Sequence, residues 1–112
     1  MQKILQQQFE SSSGLTPQWQ SAFRQCKKYF RDNFSEVAEK IELSRGHFYF
    51  SGFLTRKKDG QIFYFSISDV RHFTCDSLLI RTAEHYKDWT GGSNQSVRID
   101  ENFKSNLINF LQ

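Results

Sequence analysis

The sequence predicts an α+β domain: an antiparallel sheet of three or four strands, with N- and C-terminal amphipathic helices packed on one face. Three observations point there. Apolar residues recur at helical spacing near each end of the chain. Between them two aromatic runs alternate with the two-residue period of strands, and an Asp-Gly pair joins those runs. At 112 residues the chain has the length of one domain, since domains cluster near ~100–150 residues.

Residues 1–15 combine a Gln run with Ser11-Ser12-Ser13-Gly14 and read as a flexible N-terminal arm, leaving 16–112 as a single α+β domain. Thr16-Pro17 has the form of an N-cap followed by Pro at the first helical position. Trp19, Phe23, Cys26 and Phe30 then recur at steps of four, three and four, on one face of a helix running from Pro17 to about Phe34. Arg24, Lys27, Lys28 and Arg31 repeat at the same spacing beside that stripe as a basic flank. After Ser35 the pattern is open: Glu36–Lys40 extends the helix or begins another, whereas Ile41-Glu42-Leu43 alternates as a strand does.

His47–Leu54 and Ile62–Ser68 are strand-like in composition, and Arg56–Gln61 between them carries Asp59-Gly60, a pair that tolerates positive φ and closes a hairpin. Alternation puts Phe63, Phe65 and Ile67 on one face with Phe48, Phe50 and Leu54 as core. The opposite face, with Tyr49, Ser51, Phe53, Tyr64 and Ser66, is mixed and partly open. Ser77–Ala83 is a third strand, Glu84–Asn94 a polar loop ending in Thr90-Gly91-Gly92-Ser93-Asn94, and Ser96–Ile99 a short edge strand. Asp100 is the expected cap of a closing helix whose stripe is Phe103, Leu107, Phe110 and Leu111.

The net charge of +3 is unevenly spread. From Gln18 to Lys58 nine basic residues meet four acidic ones; from Asp59 onward five basic residues meet seven acidic ones. A positive half favours contact with a polyanion. Cys26 and Cys75 are too few for a disulfide framework and lack zinc spacing, and Cys26 reads as a buried thiol. The first fourteen residues lack the apolar region of a signal peptide, and no apolar run reaches the ~18 residues of a membrane span, so a cytoplasmic protein without membrane contact is expected.

Four chemistries compete. Asp69, Arg71, His72, Arg81, Glu84, His85, Lys87 and Asp88 concentrate ionisable groups suited to acid–base or phosphodiester chemistry, yet no motif fixes them to a reaction. The three histidines lie on separate elements without ligand spacing, so neither metal nor cofactor is expected. The Gly91-Gly92 loop, flanked by Lys87 and Arg98, offers a phosphate nest. The fourth is a basic aromatic binding surface: Arg24, Lys27, Lys28, Arg31, Arg56, Lys57 and Lys58 as cations, with Tyr49, Tyr64, Arg81, Tyr86 and Trp89 as stacking or anchoring groups. The expected partner is nucleic acid or a nucleoprotein complex. With twelve Phe, four Tyr and two Trp, the chain has more aromatic surface than a small core hides, which also admits a homodimer.

The runs GHFYFSGF (46–53), YFSISDVR (64–71), LIRTA (79–83) and KDWTGGSN (87–94) resemble short uncharacterised proteins of phages and mobile elements, over about residues 44–110. The resemblance implies no catalytic residue. It implies a non-enzymatic binding protein or inhibitor acting on host nucleoprotein or defence machinery.

Overall fold

The computed structural model describes residues 17–45, 49–67 and 77–112, with the side chains of 20–44 in the first of these segments. The arm, the Thr16 cap, the Trp19 side chain, His47, Phe48 and residues 68–76, which include Asp69, Arg71, His72 and Cys75, lie outside the described residues. The order of elements is α1 (Pro17–Phe34), β1 (Ala38–Arg45), β2 (Phe50–Arg56), β3 (Ile62–Ile67), β4 (Ser77–Ala83), β5 (Gln95–Arg98) and α2 (Phe103–Leu111). The strands form one antiparallel sheet in chain order, so the fold is α+β with five strands where three or four were expected.

The additional strand is β1, and it settles the open reading of residues 36–45. Helix α1 stops at Phe34, where the Val37 amide donates to the Phe34 carbonyl at 3.1 Å and Ser35 Oγ donates to the carbonyl of Arg31. Ala38 then enters the ladder opposite Arg56, and it is buried. Pairing with β2 wins over helix propensity because the partner strand takes the backbone groups on the inner edge of β1 while Ala38 is buried. The ladder is not regular: its register shifts between Glu39 and Glu42, and Lys40 has φ 50 there. The helix-like spacing of Glu36–Lys40 and the strand-like alternation after it meet at this bulge.

One sheet face is covered. On α1 the buried positions are Ala22, Cys26, Phe30 and Phe34, with Phe23 only partly buried at the edge of the stripe. Phe30 stacks on Phe65 with ring centroids 5.0 Å apart, and Phe23 stacks on Phe50 at 5.7 Å. From α2, Phe103 meets Tyr29, Phe30 and Phe34 edge-on or tilted, and Phe110 meets Phe63 at 5.5 Å. Such aromatic pairs add ~0.5–1.5 kcal/mol beyond the area they bury. Burial pushes the Cys26 thiol up to about 12, so it is an inert core group and not a nucleophile.

The register explains the fit. Phe50, Gly52 and Leu54 of β2 lie opposite Ile67, Phe65 and Phe63 of β3. A Cβ at Gly52 would lie 2.1 Å from the Glu42 carbonyl oxygen and 2.8 Å from Cζ of Phe65. The missing side chain therefore lets the Phe65 ring lie across β2, where Phe30 covers it. At the hairpin, Gly60 has φ 74, its amide donates to the Arg56 carbonyl at 2.8 Å, and Arg56 Nε and Nη2 bind Asp59 at 2.9 and 2.6 Å. Asp100, expected as the α2 cap, stands earlier: its carboxylate accepts the Asn102 amide at 2.9 Å, and Asn102 holds the cap position without a side-chain bond.

Gly52→Ala is expected to cost about 3 kcal/mol through overpacking and to lower Tm by roughly 10 °C or more. Gly60→Ala meets open space and costs only the positive φ, about 1 kcal/mol. Thermal unfolding of the two variants, followed by circular dichroism, checks the ranking.

Candidate functional site

The sheet face opposite the helices carries three transverse rows, read directly from the register. Ser44, Ser51 and Ser66 lie side by side and continue into Leu79 and Ser96. Glu42, Phe53, Tyr64 and Arg81 form the next row, and Glu39, Thr55, Ile62 and Ala83 the third. A row of small hydroxyl side chains beside a row of large rings leaves a step. That step is a concavity of about 500 Å³ with Ser44, Ser51 and Ser66 as floor and Tyr49, Tyr64 and Trp89 as walls.

The far end of this face is covered by residues 84–94, which leave β4 and fold back across the sheet. Tyr86 stacks on Phe53 at 5.5 Å, and Trp89 stands edge-on to both Phe53 and Tyr64, at 5.1 and 5.7 Å. Together they bury Phe53 on the face that alternation left open. The Tyr86 hydroxyl donates to the Lys40 carbonyl at the bulge and lies 2.8 Å from Thr55 Oγ1, so the loop reaches β1. Partial burial raises the Tyr86 pKa. Arg81 holds the return limb: its guanidinium lies 4.6 Å from the Tyr64 ring centroid and donates to Asn94 Oδ1 at 3.3 Å and to the Trp89 carbonyl. Asp88 fixes the turn by accepting the Glu84 and Thr90 amides at 2.9 and 3.1 Å, which keeps its carboxyl below the usual range.

Of the sequence-derived candidates, Tyr49, Tyr64, Arg81, Tyr86 and Trp89 converge on this one face. Tyr49 is 48% exposed and Trp89 54%. The helix cations do not join them. Arg24, Lys27, Lys28 and Arg31 are exposed on α1, whose apolar side packs on the other face of the sheet. The expectation of a single basic aromatic surface is corrected accordingly: the sheet stands between the helix cations and the tyrosines. Some cations are also spoken for. Lys28 pairs with Asp32 at 2.6 Å, Arg56 pairs with Asp59, and Lys58 Nζ donates to the Gln112 carbonyl at 3.0 Å. Lys57 is exposed at the hairpin tip. The open face has its own gradient, with Glu39 and Glu42 at the β1 side and Arg98, opposite Ser77, at the β5 side.

The phosphate nest is not formed. The Gly92 amide donates to the Thr82 carbonyl at 2.9 Å, the Thr90 amide is taken by Asp88, and the neighbouring cavity is lined by Glu84 and Asp88. His85 and Asp88 lie in a non-helical turn where Asp88 serves backbone amides and His85 Nδ1 lies 2.8 Å from its neighbour's carbonyl. No group of three or more His, Cys, Asp or Glu that could hold a metal ion occurs among the described residues, and none of their helices is long and apolar enough to cross a membrane. Sequence reasoning missed the serine floor and the burial of Phe53. The alternation that placed Ser51 and Ser66 on one face was a usable signal for the floor.

The Arg56 guanidinium, aided by the Gln61 amide, holds Asp59 at about 2. Its contribution is complete above the unfolded value near ~4 and is lost as pH falls from there through about 2. A carboxyl-detected NMR titration should place the Asp59 midpoint at about 2, and Arg56→Gln should move it up toward the ordinary value. Tyr86→Phe removes the hydroxyl link to Lys40 and Thr55, with an expected loss of about 1 kcal/mol and faster amide exchange through 84–94.

Comparison with known proteins finds no matching family model, no matching curated protein and no matching solved structure.

Proposed function

We propose that this is a non-enzymatic binding protein that takes an unpaired base of single-stranded nucleic acid on the open face of its sheet. The observation that carries the reading is the exposure of Tyr49 and Trp89 over a floor of serines, beside Tyr64. Exposed aromatic rings around a shallow step suit a flat, partly apolar group. The hydroxyls of Ser44, Ser51 and Ser66 supply donors and acceptors at the base edge, and stacking is worth ~1–3 kcal/mol per base. Arg98, exposed on β5, lies on the side where the strand's phosphates would pass, and Lys87 is exposed in the loop that covers part of this face. Glu39 and Glu42 repel phosphate from the β1 side, so the gradient favours one path of the strand over its reverse.

Arg24, Lys28 and Arg31 enter this reading only as part of the net positive charge, which raises the encounter rate without touching the base. Affinity therefore depends on few phosphates. With two contacts the slope of log K against log salt is about −1.4, at about −0.7 per phosphate for single strands.

The experiment is a titration with oligothymidylate, read by Trp89 fluorescence in a Trp19→Phe background. Quenching on binding is expected. Trp89→Ala, followed by anisotropy of a labelled oligonucleotide, should weaken binding roughly 5- to 150-fold, the equivalent of ~1–3 kcal/mol, and Tyr49→Ala should act similarly. Full retention of affinity in Trp89→Ala, with loss on Arg24→Glu and Lys28→Glu, would reject the open face in favour of the helix flank. The same exposed rings also fit a second copy of the chain, and light scattering near twice 13.3 kDa would indicate that occupant.

A further inference from the structure

We propose that the groove between α1 and the outer edge of β1 docks an acidic, extended segment of a partner protein, at a surface separate from the aromatic face. The groove has a volume of about 270 Å³. Lys27 and Arg31 of α1 stand over it, Lys40 and Glu39 rise from the β1 bulge, and Ile41 and Leu43 are half-buried along it. Three cations thus face one carboxylate. The two ion pairs among the described residues are Lys28–Asp32 and Arg56–Asp59, so Lys27, Arg31 and Lys40 have no carboxylate partner there. Lys27 is steadied by the Phe23 ring, with Nζ 5.5 Å from its centroid.

The groove runs along an edge. β1 pairs with β2 on one side and, among the described residues, has no strand on the other. From Glu42 to Arg45 its register is regular, which leaves four residues, about 13 Å, of template for an added strand. A second copy is a poor occupant, because antiparallel pairing of β1 with itself sets these cations against their own equivalents. A strand with alternating acidic and apolar residues fits this edge: its acidic side chains turn to the helix side, where their carboxylates meet Lys27, Arg31 and Lys40 and their methylenes meet Ile41 and Leu43, and its apolar residues fall on the opposite side. Nucleic acid fits less well, since no aromatic ring lines this groove for a base to stack on.

The test uses a fluorescein-labelled octapeptide alternating Glu and Val, followed by anisotropy against the full-length protein. Saturable binding is expected, with none for the Lys–Val counterpart. Lys27→Glu combined with Arg31→Glu should weaken it at least tenfold; both side chains are exposed and Tm should hold. Lys40→Gly removes the third charge at a position whose φ of 50 glycine adopts freely, so a several-fold loss of affinity there is not a folding defect. Backbone amides of Ile41–Arg45 should shift on peptide addition, and Trp89→Ala should leave peptide affinity unchanged. Absence of saturable binding, indifference to the charge reversals, or displacement of the peptide by oligothymidylate would each overturn the proposal. The last would make the groove a nucleic-acid site.

Discussion

Phe65 can lie flat across β2 only because position 52 carries no side chain, and Phe30 of α1 stacks on the ring so exposed. Much of the architecture depends on that contact. It fixes which sheet face receives the helices, and Phe103 closes over the same cluster from α2. A helix of α1's composition, with a basic flank and few intrahelical ion pairs, draws most of its stability from such packing and little from propensity. Choosing the covered face also chooses the exposed one, because a strand sends alternate side chains to opposite sides.

The two faces then diverge chemically. The covered side is a dry assembly of phenylalanines and branched aliphatics. The other is built from serines, tyrosines and charged residues and is half-closed by a loop that the sheet itself does not require. Residues 84–94 turn this half into a small satellite core around Phe53, tied to β1 by Tyr86 and to β4 by Arg81. Lys40, with its positive φ, lies where Tyr86 attaches. The bulge thus offers its carbonyl to the loop on one side of the sheet, while its side chain lines the groove beside α1.

Electrostatics divides in the same manner. The Lys28–Asp32 pair is exposed and the Arg56–Asp59 pair joins a half-buried Arg56 to an exposed Asp59; exposed pairs contribute little to stability. Their greater effect is on the available charge: they remove two of the cations that an anion would otherwise meet. Of the others, Lys27, Arg31 and Lys40 gather at the groove beside α1, and Arg98 lies apart from them on the β5 side of the open face. Neither surface is strongly cationic. Recognition at each therefore rests on shape and apolar contact together with charge.

Local pattern alone settled much of this. The 3.6-residue recurrence over 17–34, the alternation of 62–67, the Asp59-Gly60 turn and the stripe of Phe103, Leu107, Phe110 and Leu111 are short-range signals, and each shows in the structure as the expected element, with Phe23 and Phe110 only partly buried and the Trp19 side chain outside the described residues. The tyrosines, Arg81 and Trp89 were legible as surface groups for the same reason. Three things needed the tertiary structure. Residues 38–45 became a strand because β2 supplied hydrogen-bond partners that no local signal announces. Phe53 became buried because a loop some thirty residues later folds over it. The α1 cations and the rings came to lie on opposite sides of the sheet because register and helix packing, which join residues far apart in the chain, decide which side chains become neighbours. Composition can count such groups, but only long-range contact places them.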